Sequence, residues 1–168
     1  AEIAKQNGGD VPFIRPSELA QDDTPMWPVV RHALSTVEQF ENMEFDTLLL
    51  LDPTSPARIP EDISGAFALL DNHPAADGVI GVSKPEFNPI WTCVVERDGW
   101  MTGLFGDDQE FESRQEVPPV YRINGSLYLW RAEFVRTHEE SWRAVGKYLM
   151  HEIPETRAMS IDDADQFQ

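Results

Sequence analysis

The chain has 168 residues, of which 41% are hydrophobic, and its 30 acidic residues against 13 basic ones give a formal net charge of -17. This composition is typical of one globular domain, and the negative field disfavours nucleic acid and anionic membrane surfaces as partners. No stretch approaches the roughly 20 apolar residues of a membrane span, and the single cysteine, Cys93, allows no internal disulfide, which indicates a cytoplasmic protein.

Helical and extended patterns alternate through the first half of the chain. A helix end over Ala1–Lys5 is followed by the helix breaker Gly8-Gly9, and Thr24-Pro25 is typical of the start of a longer helix of about four turns. The apolar positions that we expect to face the core of this longer helix are Val30, Ala33, Leu34, Val37 and Phe40. Further elements are predicted as a buried strand over Phe45–Leu51, a helix from Pro60 with Ile63, Ala66, Phe67 and Leu70 inward, and a second buried strand over Gly78–Val82.

The second half begins with a turn signal, Arg97-Asp98-Gly99, between two strand-like runs, Trp91–Glu96 and Trp100–Leu104. This pattern predicts an antiparallel hairpin, followed by an acidic mobile loop over Gly106–Pro119, so that residues 89–120 project from the domain. Three more elements complete the prediction: a strand over Leu127–Trp130, a helix over Ala132–Thr137 and a short strand over Met159–Ile161. The alternation favours an α/β fold with a mainly parallel, doubly wound sheet.

The most informative segment is the apolar run Leu48–Leu51, which stops abruptly at Asp52-Pro53-Thr54-Ser55-Pro56-Ala57-Arg58. A buried strand that ends in polar residues delivers them to the carboxyl edge of the sheet, where open α/β folds bind ligands. Two prolines fix the direction of the Thr54 and Ser55 hydroxyls, which suits an anionic or polyol ligand. Taken alone, the same residues equally describe a rigid capped turn between strand and helix.

Together with Tyr121-Arg122-Ile123-Asn124-Gly125-Ser126-Leu127-Tyr128 and the tail Arg157–Asp163, this segment resembles the acylneuraminate (CMP-sialic acid) cytidylyltransferase family. These enzymes join CMP from CTP to an acidic keto sugar such as N-acetylneuraminic acid and release pyrophosphate. The resemblance implies a fold like that of nucleotide-diphospho-sugar transferases, with residues 1–168 forming a single cytidylyltransferase-like domain. It also implies a homodimer, for which we expect the interface over Trp142–Met150.

The resemblance also implies the site residues. Substrate contacts carry over to Asp52, Thr54, Ser55, Arg58, Gln115, Asn124 and Tyr128, and catalytic roles to Arg114, Arg122 and Asp162. The guanidinium forks of Arg114 and Arg122 can bind a carboxylate or a phosphate at two points. Without the resemblance, both arginines are equally explained as surface partners of neighbouring acids. Arg122 and Asn124 lie two residues apart on an extended segment and are therefore expected to share a face.

A magnesium site is implied at Ile161-Asp162-Asp163. In the family, two aspartates separated by one residue hold the metal, and the alignment places Ser160 on the first of them and Asp162 on the second. Carboxylates together with substrate phosphates are the ligands that Mg²⁺ prefers. An acidic cluster near the end of a chain is otherwise simply solvated. The four histidines, His32, His73, His138 and His151, stand singly and are expected at the surface or at helix ends.

The family's Ala-Arg-x-x-Ser-Lys-Gly nucleotide loop and the strand before it have no counterpart in the sequence. This leads to the expectation that the chain is a truncated product, a fragment, or a domain without CTP chemistry. Three functions therefore stay open: a cytidylyltransferase for a sialic acid, one for an eight-carbon keto sugar, and a sugar-binding module without catalysis.

Overall fold

The structure is a computed structural model that describes residues 1–105 and 111–167. Six strands and six α-helices lie in these ranges, with a short 3-10 helix over Ser17–Leu19. The helices are α1 (Glu2–Gln6), α2 (Met26–Glu41), α3 (Pro60–Asp71), α4 (Pro89–Thr92), α5 (Ala132–Thr137) and α6 (Trp142–Val145). The strands are β1 (Thr47–Leu50), β2 (Gly78–Ser83), β3 (Val94–Arg97), β4 (Trp100–Gly103), β5 (Arg122–Arg131) and β6 (Tyr148–Glu152).

The main sheet of the described residues has the order β1-β5-β2-β6. Strand β5 runs antiparallel to both of its neighbours, and only β2 and β6 pair in parallel. The α/β class is confirmed, but the prediction of a mainly parallel sheet is wrong for these strands. The reason is that β5 enters the sheet between β1 and β2 in the reverse direction, and a buried apolar strand reads the same in either direction.

The last strand of the sheet is β6, and the short strand predicted over Met159–Ile161 is wrong. Residues 153–167 form turns and irregular backbone, although the Ile161 amide donates to the Thr54 carbonyl at 2.8 Å. This single hydrogen bond holds the segment against the sheet edge, but one bond does not make a β-strand pairing. Residues 106–110, part of the predicted mobile loop, lie outside the described residues.

Helices cover both faces of the sheet, as expected for a doubly wound arrangement. One face packs Ile80, Tyr128 and Trp130 against α2, α5 and Trp142, and the opposite face packs Val79, Leu127 and Leu129 against α3. The alternation of β5 thus sends Tyr128 and the flanking leucines to opposite sides, as predicted. Phe40 is the exception among the inward positions of α2: it is 67% exposed, because α2 ends one residue later at Glu41.

The hairpin is confirmed with shorter strands than predicted. Trp91 belongs to α4, and β3 begins only at Val94. Asp98 and Gly99 both have positive φ, 53° and 82°, which is the backbone of a tight two-residue hairpin turn. β3 and β4 form a two-stranded sheet apart from the main one. No helix among the described residues is long and apolar enough to cross a membrane.

Candidate active site

The loop after β1 is tied to strand β5 by Arg58. Its Nη1 donates to the Asp52 carbonyl at 2.9 Å and to the Ser126 carbonyl at 3.1 Å, while the Ser55 amide donates to the Asp52 carbonyl at 3.2 Å. Arg58 is expected to contact substrate, but these two hydrogen bonds go to backbone carbonyls and stabilise the conformation of the loop. Ser55 is only 1% exposed, so its hydroxyl lies inside the loop, whereas Thr54 is partly exposed at its tip.

Gly125 lets strand β5 approach the carboxylate of Asp52. Its φ is +73°, and a Cβ at this position would lie 2.9 Å from Asp52 Oδ2. The pairing of β2 with β5 shifts register at this level, between Ile80 and Val82. A side chain at residue 125 would both strain the backbone and displace the carboxylate. The glycine therefore sets the distance between the loop and the strand.

The carboxyl group of Asp52 is partly buried, which disfavours its charged form. Burial raises the pKa of its carboxyl, the Arg58 guanidinium lowers it, and the charge of Asp162 raises it again, with a net increase over the ordinary value. Two carboxylates therefore influence each other across the site. An acid of this kind accepts a hydrogen bond from a sugar hydroxyl readily, and a nearby cation would favour its ionised form.

The C-terminal segment brings Asp162 to this place. Ile161 bonds to the Thr54 carbonyl, and the next residue is Asp162, whose side chain is exposed. The amide of Asp162 donates to Gln166 Oε1 at 2.6 Å, which closes a turn over the tail. The structure thus joins the loop after β1 and the tail, two segments that the sequence predicted to act together.

The residues present fit a magnesium ion that is also held by substrate. No group of three or more His, Cys, Asp and Glu side chains lies close enough for a metal within residues 1–105 and 111–167. The charge of Asp162 nevertheless acts on Asp52, whose pKa it raises, and the Ile161 amide next to Asp162 bonds to the Thr54 carbonyl of the same loop. One or two carboxylates with phosphate oxygens and water complete the octahedral shell that Mg²⁺ demands.

Arg122 is engaged by an acid of its own chain. Its Nη2 lies 2.6 Å from Glu155 Oε1 and donates to the Ala158 carbonyl at 3.0 Å. Both partners of the ion pair are more than one-third exposed, so solvent screens their attraction. Arg122 Nε also donates to Glu155 Oε1 at 3.1 Å, so an incoming anion has to replace a two-point contact that solvent weakens.

Asn124 is buried, and both ends of its amide are bonded inside the chain. Its Nδ2 donates to Ser83 Oγ at 2.9 Å, and its Oδ1 accepts from the Ser126 amide at 3.0 Å. Ser83 passes the network on to the Ile153 carbonyl at 2.7 Å. Asn124 is 4% exposed, so it shapes the start of β5 from within and connects it to the C-terminal segment.

Arg114 and Gln115 are exposed in a turn between Glu112 and Val117. The turn is held by Ser113, whose carbonyl accepts from the Glu116 amide at 3.1 Å and whose hydroxyl donates to the Glu116 carboxylate at 2.9 Å. No hydrogen bond or ion pair within the described ranges joins Arg114 or Gln115 to the loop after β1. Within these ranges the loop after β1 is bonded to Ser126 through Arg58 and to Ile161 through Thr54, and the place of Arg114 and Gln115 in the site stays a prediction.

Tyr128 is 8% exposed and lines a cavity of about 540 Å³ beside the loop. Its ring stacks on Trp130 at 5.5 Å and meets Trp142 edge to face at 5.8 Å. Burial raises the pKa of its phenol, as does the charge of Asp52, and Arg143 acts in the opposite direction. Other residues that line the cavity include Trp27, Glu139, Ser141 and Arg143. Trp142, expected in a dimer interface, is already buried in its own chain.

One buried ion pair near the site was not predicted from the sequence. Arg157 Nη1 contacts Asp62 Oδ2, and the Asp62 side chain is 5% exposed. Asp62 lies in the first turn of α3, and its partner lies 95 residues away in the chain. His151, expected at the surface or at a helix end, lies instead half-buried on β6 near this pair. No local pattern signals such a pairing.

Three comparisons extend this picture. The chain is 30% identical over 169 residues to the post-translational flagellin modification protein B of Campylobacter coli, covering 100% of the chain and 69% of that protein. It is 32% identical over 137 residues to the CMP-N,N'-diacetyllegionaminic acid synthase of Legionella pneumophila subsp. pneumophila, covering 79% and 56%. It is 26% identical over 167 residues to the N-acylneuraminate cytidylyltransferase of Escherichia coli O18:K1:H7, covering 99% and 37%. No protein-family model matches the chain.

Proposed function

Because this chain belongs to the acylneuraminate cytidylyltransferase family, we propose that it transfers CMP from CTP to an acidic keto sugar and releases pyrophosphate. The observation that carries the proposal is the convergence of three motifs at one sheet edge. The loop after β1, the start of β5 and the C-terminal segment are joined by the bonds of Arg58 and Ile161. The nucleotide-diphospho-sugar transferase-like fold belongs to the same proposal.

In this reaction the anomeric hydroxyl oxygen bonds to the α-phosphorus of CTP, the bond from that phosphorus to the bridging oxygen of pyrophosphate breaks, and the hydroxyl proton leaves to solvent. Asp52 accepts a hydrogen bond from a sugar hydroxyl, a role that its raised pKa favours. Arg122 exchanges Glu155 for the sugar carboxylate, to which a guanidinium binds at two points. Thr54, at the exposed tip of the loop, offers a further hydroxyl, and Arg114 and Gln115 belong to the proposal as residues of the neighbouring loop.

Magnesium, when bound, would be held by Asp162 with Asp52 and would neutralise the charge that develops on the phosphates. Ser160, at the position of the family's first aspartate, leaves Asp162 as the carboxylate that the tail supplies. Asn124 and Arg58 hold the loop and β5 so that the two carboxylates stay on one side of the ligand.

The sugar pocket of the proposal is the cavity beside Tyr128. Its aromatic wall of Trp27, Tyr128 and Trp142 suits the methyl groups of N-acyl substituents, and Arg143, placed over the Trp142 ring, adds a positive charge. N,N'-diacetyllegionaminic acid, named in one relative, carries two acetyl groups against one in N-acetylneuraminic acid. The wall therefore favours a sugar with more acyl surface.

The test is pyrophosphate release from CTP and Mg²⁺ with N-acetylneuraminic acid, N,N'-diacetyllegionaminic acid and an eight-carbon keto acid in parallel. The chain is assayed alone and fused to an N-terminal segment that carries the Ala-Arg-x-x-Ser-Lys-Gly loop. Release with a nine-carbon sugar in either form supports the proposal. Release with the eight-carbon acid alone would mean that this acid, and not a nine-carbon sugar, is the substrate. Sugar binding without pyrophosphate release from either form would indicate a sugar-binding module without catalysis.

A matched pair of arginine variants tests the site within the same assay. Arg122→Met removes the proposed carboxylate ligand, while Arg15→Met removes an exposed arginine of the N-terminal segment. We expect the first variant to raise the KM for the sugar strongly and the second to leave it unchanged. Equal KM values in the two variants would contradict the assignment of Arg122.

A homodimer is part of the proposal, with the hairpin as the contact surface. Trp100 and Met101 are 77% and 79% exposed on β4, and Val94 is 55% exposed on β3. A two-stranded sheet is marginally stable by itself, so apolar side chains exposed on it favour contact with a second copy. Light scattering after gel filtration should give twice the mass of one chain for the wild type. The Trp100→Ser variant should have the mass of a single chain. A wild-type chain that elutes as a monomer would refute the contact.

A further inference from the structure

The C-terminal segment of residues 153–162 reaches the site without helix or strand of its own. The Ile153 amide donates to the Val82 carbonyl at 2.8 Å at one end, and the Ile161 amide donates to the Thr54 carbonyl at 2.8 Å at the other. Because the backbone between them follows no regular ladder, its course depends on side-chain anchors. Asp162, the carboxylate proposed for the reaction, follows directly after the second of these bonds.

The more buried of the two ion pairs that anchor the segment is the one between Asp62 and Arg157. The side chain of Asp62 is 5% exposed and that of Arg157 is 29% exposed, against 38% and 46% for the pair of Arg122 with Glu155. Asp62 Oδ2 also accepts from the Ile59 amide at 3.0 Å, at the start of α3. One carboxylate therefore fixes both the beginning of α3 and the position of Arg157.

We propose that Asp62 and Arg157 are positioning residues, which hold the C-terminal segment so that Ile161 bonds to Thr54 and Asp162 lies beside Asp52. Only three residues separate Arg157 from Ile161, and Ala158 among them is fully buried, so a shift of Arg157 moves the whole stretch. A buried pair keeps one geometry, whereas exposed pairs exchange with water. The consequence for turnover rests on the proposed function; the consequence for the segment does not.

The primary test is amide hydrogen exchange of the full chain, which requires no turnover. Arg157→Met removes the guanidinium and keeps most of the aliphatic stem, and Glu152→Gln is the matched control, because it breaks the exposed pair of Lys84 with Glu152 on β6. We expect Arg157→Met to speed exchange of the Ile161 amide by about tenfold or more, with β2 and β5 unchanged, and Glu152→Gln to leave Ile161 as in the wild type.

Variants at the same position separate positioning from general stability. Arg157→Lys retains the charge and should restore part of the protection of Ile161, and Asp62→Asn, which keeps an acceptor for Ile59, should match Arg157→Met. If Arg157→Met also speeds exchange throughout β5, the substitution has unfolded the domain. Exchange of the Ile161 amide in the Arg157→Lys variant then tests the proposal. Wild-type exchange at Ile161 in a folded Arg157 variant overturns the proposal.

Kinetics give the second readout. Displacement of Asp162 should lower kcat by up to about a hundredfold, and the KM for the sugar should rise by a smaller factor, because Glu155 and Ala158 of the same segment also contact Arg122. A rise in KM with unchanged kcat would overturn the positioning role. If the wild type releases no pyrophosphate with any sugar, the proposed function fails, whereas the exchange of Ile161 still decides the anchoring by Asp62 and Arg157.

Discussion

Substitution of Gly125 by alanine should lower both stability and turnover, by amounts that follow from its surroundings. The φ of +73° costs an alanine roughly 1–2 kcal/mol. In addition, the new Cβ would lie 2.9 Å from Asp52 Oδ2, whereas ordinary contact begins at 3.4 Å, so the carboxylate must retreat by about 0.5 Å (3.4 − 2.9). A displacement of half an ångström at reacting groups corresponds to a loss of kcat on the order of tenfold.

Gly99 supplies the matched control. Its φ is +82°, nearly the same as that of Gly125, but no atom lies within 4 Å of the position of its Cβ. Gly99→Ala should therefore carry the backbone strain in the hairpin turn without touching Asp52. Urea unfolding at pH 7 measures the two stabilities, and pyrophosphate release measures kcat in the form of the chain that is active.

Two outcomes bear on the reasoning. Gly125→Ala should be the less stable and the less active of the pair, and the double variant Gly125→Ala with Asp52→Ala should recover the part of the stability loss that comes from contact. If Gly125→Ala turns over as fast as Gly99→Ala, then Asp52 is not placed by Gly125. Equal stability losses in both variants would show that the contact with Asp52 adds nothing to the backbone strain.

Three further expectations follow from the same residues. The folded pKa of Asp52 lies above its unfolded value, so its contribution to stability is fully present below the unfolded pKa of about 4 and is lost as the pH rises through the folded pKa. Asp52→Asn should therefore be more stable than the wild type in urea at pH 7 but not at pH 3.5, and should lose turnover. Burial lowers the pKa of His151, against the opposing charge of Asp62, so its contribution is present above the unfolded value of about 6.5 and is lost as the pH falls through the folded one. His151→Gln should flatten the pH dependence of thermal melts between pH 5 and pH 7.5, and an unchanged slope would contradict this. Glu155→Gln should lower the KM for an acidic sugar by about two- to fivefold, because an exposed pair costs up to about 1 kcal/mol to open, and a higher KM would show that Arg122 needs Glu155 for its position.

Local patterns predicted the elements whose cause is local. The buried strand at Gly78–Val82, the inward stripe of α3 and the hairpin turn at Asp98-Gly99 each depend on residues within a few positions of one another. The direction of β5 does not, because an apolar strand buried on both faces has the same pattern when it is reversed. Strand β6 was missed for a related reason. Its sequence, Tyr-Leu-Met-His-Glu, shows no strict alternation of apolar and polar residues, and Met150 is 59% exposed.

The candidate site divides in the same way. The loop from Asp52 to Arg58 was predicted because two prolines and a capped turn leave little freedom. The partners of that loop were not, since Glu155 and Asp62 meet their arginines only across 33 and 95 residues of chain. Asn124 shows the limit most clearly: the motif marked it as important, but only the structure shows that both ends of its amide bond inside the protein.

The distribution of tryptophans gives the protein two separate optical reporters. Trp27, Trp130 and Trp142 are buried beside the cavity, with the Trp130 ring within 6 Å of both other rings, whereas Trp91 and Trp100 are 43% and 77% exposed near and on the hairpin. Indoles in an apolar environment emit at shorter wavelength than indoles in water, and iodide in solution quenches only the latter. Occupation of the cavity should therefore change the blue part of the emission, while contact between hairpins should protect the red part from iodide. The intrinsic fluorescence of one sample thus distinguishes ligand binding from self-association without a label.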